Sequence, residues 1–189
     1  MAVVDADLCT SCGICAGACP SSTPFRSVTE LVTGIDLPSS PIGALRQRMQ
    51  RGLAALTAPR PILVFGCDHG AAVGPLAGPD VAAFSLVCTG QLPPSFVEYA
   101  LRDGAAGVLV SGCQPGGCEF RLGPRWTEQR LLGLREPHLR AEVPRERLEV
   151  AWADAGEEAS LHRALARLRE RVREMQGVVG PKPKAASHA

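Results

Sequence analysis

The chain has 189 residues, 46% hydrophobic and 21% charged, which suits one medium domain, or one domain with a small appendage. Its 20 basic and 19 acidic residues leave a formal charge of +1, which provides no basic field for nucleic acid. No apolar run approaches the roughly 18 residues of a membrane helix, and the first residues lack the basic and apolar regions of an export signal. Membrane spanning, secretion and nucleic-acid binding are therefore not expected, and we expect a cytoplasmic protein.

The first 57 residues predict an irregular segment followed by one helix. Residues 1–40 contain four cysteines and then a Pro/Ser/Thr-rich run, which is typical of irregular chain with at most one short helix. Residues 41–57 predict an amphipathic helix that ends before Pro59 and Pro61. Its apolar stripe is formed by Leu45, Met49, Leu53 and Leu56.

Beyond this helix, short apolar runs alternate with helical patterns. The four predicted strands lie in RPILVFGC, VAAFSLVCTG, AAGVLVSGC and RLEVAWADAG. The predicted helices lie in PPSFVEYALRDG with Gly104 as its stop, in RWTEQRLLGLREPHLR, and over residues 157–176. Continuous apolar strands that alternate with helices indicate a parallel sheet covered on both faces. The predicted fold class is therefore α/β, a four-stranded parallel doubly wound sheet.

Eight cysteines, without a secretory signal, indicate metal or redox chemistry rather than disulfides. They form two sets of four, which is the number of thiolates that an iron–sulfur cluster usually takes. The N-terminal set, within eleven residues, is Cys9, Cys12, Cys15 and Cys19. The distal set, spread over about fifty residues, is Cys67, Cys88, Cys113 and Cys118.

The N-terminal set has the spacing C-x2-C-x2-C-x3-C, followed by Pro20. Two-residue spacers allow successive thiolates to point into one concavity, where a 4Fe–4S cluster fits. A zinc site or a reduced-thiol loop is the alternative, but zinc sites favour two separated C-x2-C pairs. The segment resembles one half of a bacterial-type ferredoxin, which predicts a small N-terminal ferredoxin-like iron–sulfur segment.

The resemblance leaves the fourth ligand of this cluster open. In two-cluster ferredoxins the last cysteine of each run binds the other cluster, and this sequence has no second run. Cys19 is therefore expected either to close the cluster of Cys9, Cys12 and Cys15, or to pair with a second motif. That motif would come from a partner chain or from sequence upstream of Met1.

The distal set lies at predicted strand ends. Cys67, Cys88 and Cys113 end the first three strands, and Cys118 lies in the following glycine-rich loop. Ligand sites of open parallel sheets form beyond the carboxyl ends of the strands, so these cysteines are expected to converge. Following helix N-termini are expected to favour their thiolate form. Inert packing is the alternative for each, and spacing alone does not separate 2Fe–2S from zinc or a dithiol pair.

The stretch from VCTGQLPPSF to GCQPGGCEF, extended through RLGPRWTEQRLLGL, is similar to the delta (iron–sulfur) subunit family of methyl-viologen-reducing hydrogenases. The resemblance covers about residues 60–155 and implies an electron-transfer module with a 2Fe–2S cluster. It implies Cys88, Cys113 and Cys118 as ligands, with Cys67 matching a cysteine of the first family motif. It also implies partners, namely a hydrogenase or dehydrogenase-type donor and a heterodisulfide-reductase-like flavoprotein.

The sequence departs from that family after the first strand, where FGCDHGAAV keeps one cysteine instead of two or three. Four thiolates remain, which suffices for 2Fe–2S. His69 is an alternative nitrogen ligand, as in Rieske sites, although loop histidines are more often solvated or hydrogen-bonded.

Other residues receive ordinary structural interpretations. Trp126 and Trp152 are expected in the core, and Glu128 and Arg130 as a surface pair. The remaining histidines are expected in solvent, and the arginine-rich stretch 163–173 as a solvated face that is also suited to an acidic partner. These histidines are His138, His162 and His188.

Three functional hypotheses follow. The first is an electron-transfer subunit, in which the 4Fe–4S segment feeds the 2Fe–2S α/β module. The sequence shows no general base, nucleophile or substrate pocket, so the chain is not expected to catalyse turnover alone. The others are a redox- or iron-sensing regulator and a structural zinc module. The predicted organisation is a 4Fe–4S ferredoxin-like segment (1–40), a linker helix (41–58), a 2Fe–2S α/β domain (59–178) and a disordered tail (179–189).

Overall fold

A computed structural model of the chain describes residues 2–19 and 34–175. Its centre is a sheet of four parallel strands in the order β2-β1-β3-β4. The strands are β1 (Ile62–Cys67), β2 (Val81–Leu86), β3 (Gly107–Gly112) and β4 (Leu148–Trp152). Each lies inside one of the four predicted apolar runs, so the predicted parallel α/β fold is confirmed.

The burial of each strand follows its position in the sheet. Every residue of the central strands β1 and β3 is buried. The edge strands β2 and β4 are only partly buried. A strand covered on both faces must be apolar at every position, which explains why ILVFGC lacks the alternation of an exposed strand.

Five α-helices accompany the sheet within residues 2–19 and 34–175. They are α1 (Ile14–Gly17), α2 (Ile42–Ala54), α3 (Ser95–Arg102), α4 (Gly123–Leu131) and α5 (Glu158–Glu174). The helices α2, α3 and α5 correspond to predicted ones. The chain leaves α3 through Gly104, whose φ of +115° places it in the left-handed region that stops a helix.

The helix predicted in RWTEQRLLGLREPHLR is wrong in its second half. The observed helix α4 begins at Gly123 and ends at Leu131. Gly133 has a φ of +82°, and this left-handed conformation ends the helix. Leu132 and Leu134, which suggested continued helical periodicity, are exposed.

The helices cover both faces of the sheet, as a doubly wound fold requires. Leu63 and Phe65 of β1 belong to the apolar cluster that also contains residues of α2 and α3. Ile62 and Val64, which point to the opposite face, belong to the cluster that contains the apolar stripe of α5. The carboxyl ends of the strands are thus left as the open edge at which loops gather.

The N-terminal segment contacts this body at several points. Gln91 Nε2 donates to the carbonyl of Ser40 at 2.8 Å. Asp36 Oδ1 accepts from the N–H of Ile42 at 2.9 Å at the first turn of α2. Ala16 of α1 lies in the same apolar cluster as α2.

Some predictions fall on other parts of the chain. The disordered tail, His188 and most of the Pro/Ser/Thr-rich run lie outside the described residues. Within residues 2–19 and 34–175, none of the helices combines the length and apolar character needed to cross a membrane.

Candidate iron–sulfur sites

The sheet topology brings three distal cysteines to one edge. Cys67 is the last residue of β1, Cys88 comes two residues after β2, and Cys113 directly follows β3. Because β2 and β3 are the two neighbours of β1, these cysteines stand side by side at the carboxyl ends of the strands.

Cys118 joins them from the loop after β3. Cys67, Cys113 and Cys118 form one buried cluster, with Phe120 packed against it. Cys118 and Cys67 lie close enough to Cys113 to add to the rise in the pKa of its thiol. All four cysteines of the distal set are at most 9% exposed.

Gly123, the first residue of α4, packs directly against this set. A methyl group at this position would lie 2.2 Å from Cys88 Sγ and 3.5 Å from Cys118 Sγ. The two sulfurs therefore lie against the same backbone, and only glycine leaves room for both. The sequence analysis missed Gly123, although a Gly-Pro pair at a helix start just after a cysteine loop was a readable signal.

The loop between Cys113 and Cys118 is fixed by the end of β4. Asp154 Oδ1 accepts from the N–H of Gln114 at 2.8 Å. The side-chain amide of Gln114 donates to the carbonyl of Trp152 at 3.1 Å. Asp154 also pairs with Gly70 across an isolated antiparallel bridge, which connects the loop after β1 to the same point.

Backbone N–H groups point at sulfurs in both sets. Each donor lies two residues after its cysteine: His69 to Cys67 Sγ at 3.3 Å, Gly90 to Cys88 Sγ at 3.4 Å, and Ser11 to Cys9 Sγ at 3.4 Å. Hydrogen bonds of this kind stabilise negative charge on sulfur and tune the potentials of iron–sulfur clusters.

Burial opposes the thiolate form that the following helix N-termini are expected to favour at Cys88 and Cys113. Burial raises the pKa of Cys88 to about 12, although the Gly90 N–H acts in the opposite direction. Burial also raises the pKa of Cys113, and the charges of Cys67 and Cys118 add to the effect. These thiols are therefore neutral at pH 7, and a bound metal has to displace their protons.

The N-terminal set is less enclosed. Cys15 is exposed, and Cys9, Cys12 and Cys19 are half-buried. The pKa of Cys15 is raised mainly by burial, with further contributions from Cys12 and Cys9, so these three lie near one another. Cys19 follows α1, and its N–H donates to the carbonyl of Ala16 at 3.2 Å.

The two sets meet at the short 3₁₀ turn Thr89–Gln91, which directly follows Cys88. A methyl group at Gly17 would lie 2.1 Å from the carbonyl oxygen of Gly90, and one at Gly90 would lie 2.5 Å from the side chain of Ile14. Cys12 is close enough to contribute to the raised pKa of Cys88. We call this contact between α1 and the turn the junction.

Two interpretations of single residues require correction. Arg130 is not part of a surface pair, because it is 1% exposed and donates to the carbonyls of Gly90 and Trp126. Glu128 instead accepts from Trp152 Nε1 at 3.2 Å. Trp126, on α4, and Trp152, at the end of the edge strand β4, are only half-buried.

The other singled-out side chains lie at the surface. The ring of His69 is exposed and meets Phe120 edge-on at 5.3 Å, so its main chain, not its ring, contacts Cys67. His138 and His162 are exposed, as expected. In the arginine-rich stretch, ion pairs link Arg167 and Arg171 to Glu149, and Arg169 to Asp80.

None of the eight cysteines, all of which lie in the described residues, forms a disulfide. In the described ranges 2–19 and 34–175, no group of three or more His, Cys, Asp or Glu residues is placed to hold a single metal ion. A cluster requires a different arrangement, because its four thiolates are distributed over two or four irons.

Comparison with known proteins identifies the family. Residues 62–176 match the family model "Methyl-viologen-reducing hydrogenase, delta subunit". This chain belongs to that family. Residues 2–23 match the model of a 4Fe-4S binding domain, which supports a 4Fe–4S cluster in the N-terminal segment. Both resemblances expected from the sequence are therefore confirmed.

Individual relatives agree with this assignment. The chain is 27% identical over 97 residues to the iron-sulfur subunit of the F420-non-reducing hydrogenase vhc of Methanococcus voltae, covering 51% of this chain and 67% of the relative. It is 30% identical over 79 residues to the iron-sulfur subunit of the F420-non-reducing hydrogenase of Archaeoglobus profundus, covering 42% and 58%. It is 31% identical over 78 residues to one subunit of the Ferredoxin:CoB-CoM heterodisulfide reductase of Methanosarcina mazei, covering 41% and 10%. The chain thus spans between a tenth and two thirds of these relatives' own lengths.

Proposed function

We propose that this chain is an electron-transfer subunit that relays electrons between a hydrogenase- or dehydrogenase-type donor and a heterodisulfide-reductase-like acceptor. The N-terminal set (Cys9, Cys12, Cys15, Cys19) holds a 4Fe–4S cluster. The distal set (Cys67, Cys88, Cys113, Cys118) holds a 2Fe–2S cluster. The observation that carries the proposal is the junction, which places two four-cysteine sets against each other in one chain.

The distal set fits a cluster by its donor chemistry. It offers four free, buried sulfurs at the open edge of the sheet, two of which accept backbone N–H groups. Gly123 allows the sulfurs of Cys88 and Cys118 to approach the start of α4, where any side chain would collide with Cys88 Sγ. When bound, clusters of this type supply one-electron redox chemistry. The protein supplies the thiolates, the hydrogen bonds and an apolar surrounding.

The difference in exposure between the two cysteine sets indicates which set a redox partner would reach first. The N-terminal set includes exposed Cys15 and is therefore open to a redox partner at the surface. The distal set is shielded on the side of the junction by α1, whose small residues allow close approach. Electrons entering at the surface would reach the distal set through the junction.

Partners and organisation belong to the same proposal. The relatives named as hydrogenase and heterodisulfide reductase subunits support redox-protein partners. We propose the organisation of a ferredoxin-like segment (1–40), a linker helix (41–58) and an α/β domain (59–178). A reducing, cytoplasmic compartment would keep the eight cysteines available as thiols.

The relay can be tested by removing its first site. Cys15→Ala should empty the N-terminal set and leave the distal set loaded, because the two sets share no cysteine. Reduction of the distal site by a large protein reductant, followed by freeze-quench electron paramagnetic resonance (EPR), should then slow by roughly tenfold or more. Gly43→Ala is the matched control, because a methyl group there meets nothing within 4 Å.

An unchanged rate in Cys15→Ala would contradict the relay, since the distal site would then accept electrons directly. The partner assignment has its own test. Anaerobic purification of the tagged chain from its native host should recover hydrogenase-, dehydrogenase- or heterodisulfide-reductase-type proteins. Recovery of the chain together with non-redox proteins alone would contradict it.

A further inference from the structure

Arg130 is a fully buried cation without a carboxylate partner in the described part of the chain. It is 1% exposed, and within residues 2–19 and 34–175 it forms no ion pair with Asp or Glu. Nη2 donates to the carbonyl of Gly90 at 2.9 Å, and Nε to the carbonyl of Trp126 at 3.2 Å. Nη1 is buried without a hydrogen-bond partner. A buried charge normally requires an opposite charge nearby, because it has lost its hydration.

The position of Arg130 suggests where the opposite charge resides. Gly90, whose carbonyl accepts from Arg130, donates its own N–H to Cys88 Sγ at 3.4 Å. The guanidinium and the sulfur are thus linked through a single residue. Burial, followed by Arg135, lowers the pKa of Arg130 to about 10, and Cys88 acts in the opposite direction. Among these named influences, Cys88 is the one that favours the charged guanidinium, and its thiol becomes a negative charge when a bound metal displaces its proton.

We propose that Arg130 is the counter-ion of the cluster held by the distal set, and that its charge favours the reduced state of that cluster. The inference rests on the proposed function. One-electron reduction adds one negative charge to a site that four thiolates already make negative. A buried cation interacts more strongly with the reduced form and raises the midpoint potential, because little water screens the interaction.

Arg147 provides a matched control within the same domain. It is 8% exposed and donates to the carbonyls of Ala105 and Ala106, the second at 2.8 Å. These residues precede β3, whereas Cys113 follows it, so Arg147 lies at the opposite end of that strand. Burial lowers the pKa of Arg147 as it does for Arg130, but no cysteine is involved.

The experiment compares Arg130→Gln, Arg130→Lys and Arg147→Gln in the anaerobically loaded full chain. The readout is a redox titration of the two-iron EPR signal. Arg130→Gln should disfavour reduction by roughly tenfold, the order expected for a unit charge about 10 Å away at an effective dielectric constant of about 20. For one electron this factor lowers the midpoint potential by about 59 mV. Arg130→Lys, which keeps the charge, and Arg147→Gln should remain near the wild-type potential.

The outcomes of this experiment distinguish a role of the Arg130 charge from a purely structural role of the side chain. An unchanged potential in Arg130→Gln would overturn the proposal. Loss of the cluster from Arg130→Gln but not from Arg130→Lys would support it, because charge would be what the cluster requires. Loss from both would overturn it and leave Arg130 as a structural support of Gly90. The two-iron EPR signal of the wild-type protein is measured first. Its absence would contradict the proposed function rather than the role of Arg130.

Discussion

The two cysteine sets use the same ligand type in opposite surroundings. The N-terminal set lies in a loop and a single helical turn, with one cysteine exposed and three half-buried. The distal set lies at the carboxyl ends of three buried or edge strands and is at most 9% exposed. The comparison separates two tasks of an electron carrier: one site has to meet a partner, and the other has to be insulated.

The two sets also differ in how their geometry is specified. The spacing of the N-terminal set brings its thiols together locally. The distal set depends on the whole sheet, because Cys67, Cys88 and Cys113 meet only when β2 and β3 both pair with β1. Damage to either set should therefore leave the other loaded.

The largest expected effect tests this independence. Cys118→Ala should abolish the two-iron EPR signal and leave the four-iron signal, because only the distal set loses a ligand. Cys12→Ala is the reciprocal variant and should do the opposite. Cys118→Ser should be tested beside Cys118→Ala, since its hydroxyl can still offer oxygen. Simultaneous loss of both signals in either variant would show that the sets build one shared site.

A second prediction concerns accessibility. A bulky iron chelator should remove iron from the N-terminal set faster than from the distal set by roughly tenfold or more. An opening cost of about 1.4 kcal/mol at the buried site accounts for that factor. Visible absorption and EPR, followed over time, would measure both losses in one sample. Equal rates would mean that the distal set is as open as the N-terminal one.

The smallest expected effect tests the shape of the buried site. Gly123→Ala should lower the free energy of unfolding by about 1–3 kcal/mol and reduce two-iron loading, because its methyl group would lie 2.2 Å from Cys88 Sγ. Gly116→Ala, in the neighbouring loop and with nothing within 4 Å of the added methyl group, should change neither quantity. Chemical denaturation and iron analysis measure them. Equal behaviour of the two variants would contradict the close packing at Gly123.

The fold could be predicted from the sequence because the central strands are buried on both faces and are therefore apolar throughout. The run ILVFGC could only be a central strand, and the rule for parallel sheets then placed Cys67, Cys88 and Cys113 at one edge. The four-cysteine spacing and the family motifs identified the rest of the ligand chemistry. These signals are local or follow from a general rule of topology.

The missed features depend on contacts between distant segments. Arg130 was expected in a surface pair with Glu128, but it is buried and donates to the carbonyl of Gly90, forty residues earlier. The junction pairs Gly17 with Gly90 across a still longer separation. Neither contact produces a periodic pattern in the sequence, so neither could be predicted. By contrast, Gly133 did carry a stop signal, which the surrounding leucines obscured.

The most direct test of the two-site account is the iron content of anaerobically reconstituted protein, combined with EPR of the same sample. The account predicts about six irons per chain, from four in the N-terminal set and two in the distal set, with two separable signals. A folded protein that retains only zinc and cannot be loaded with iron and sulfide would contradict it.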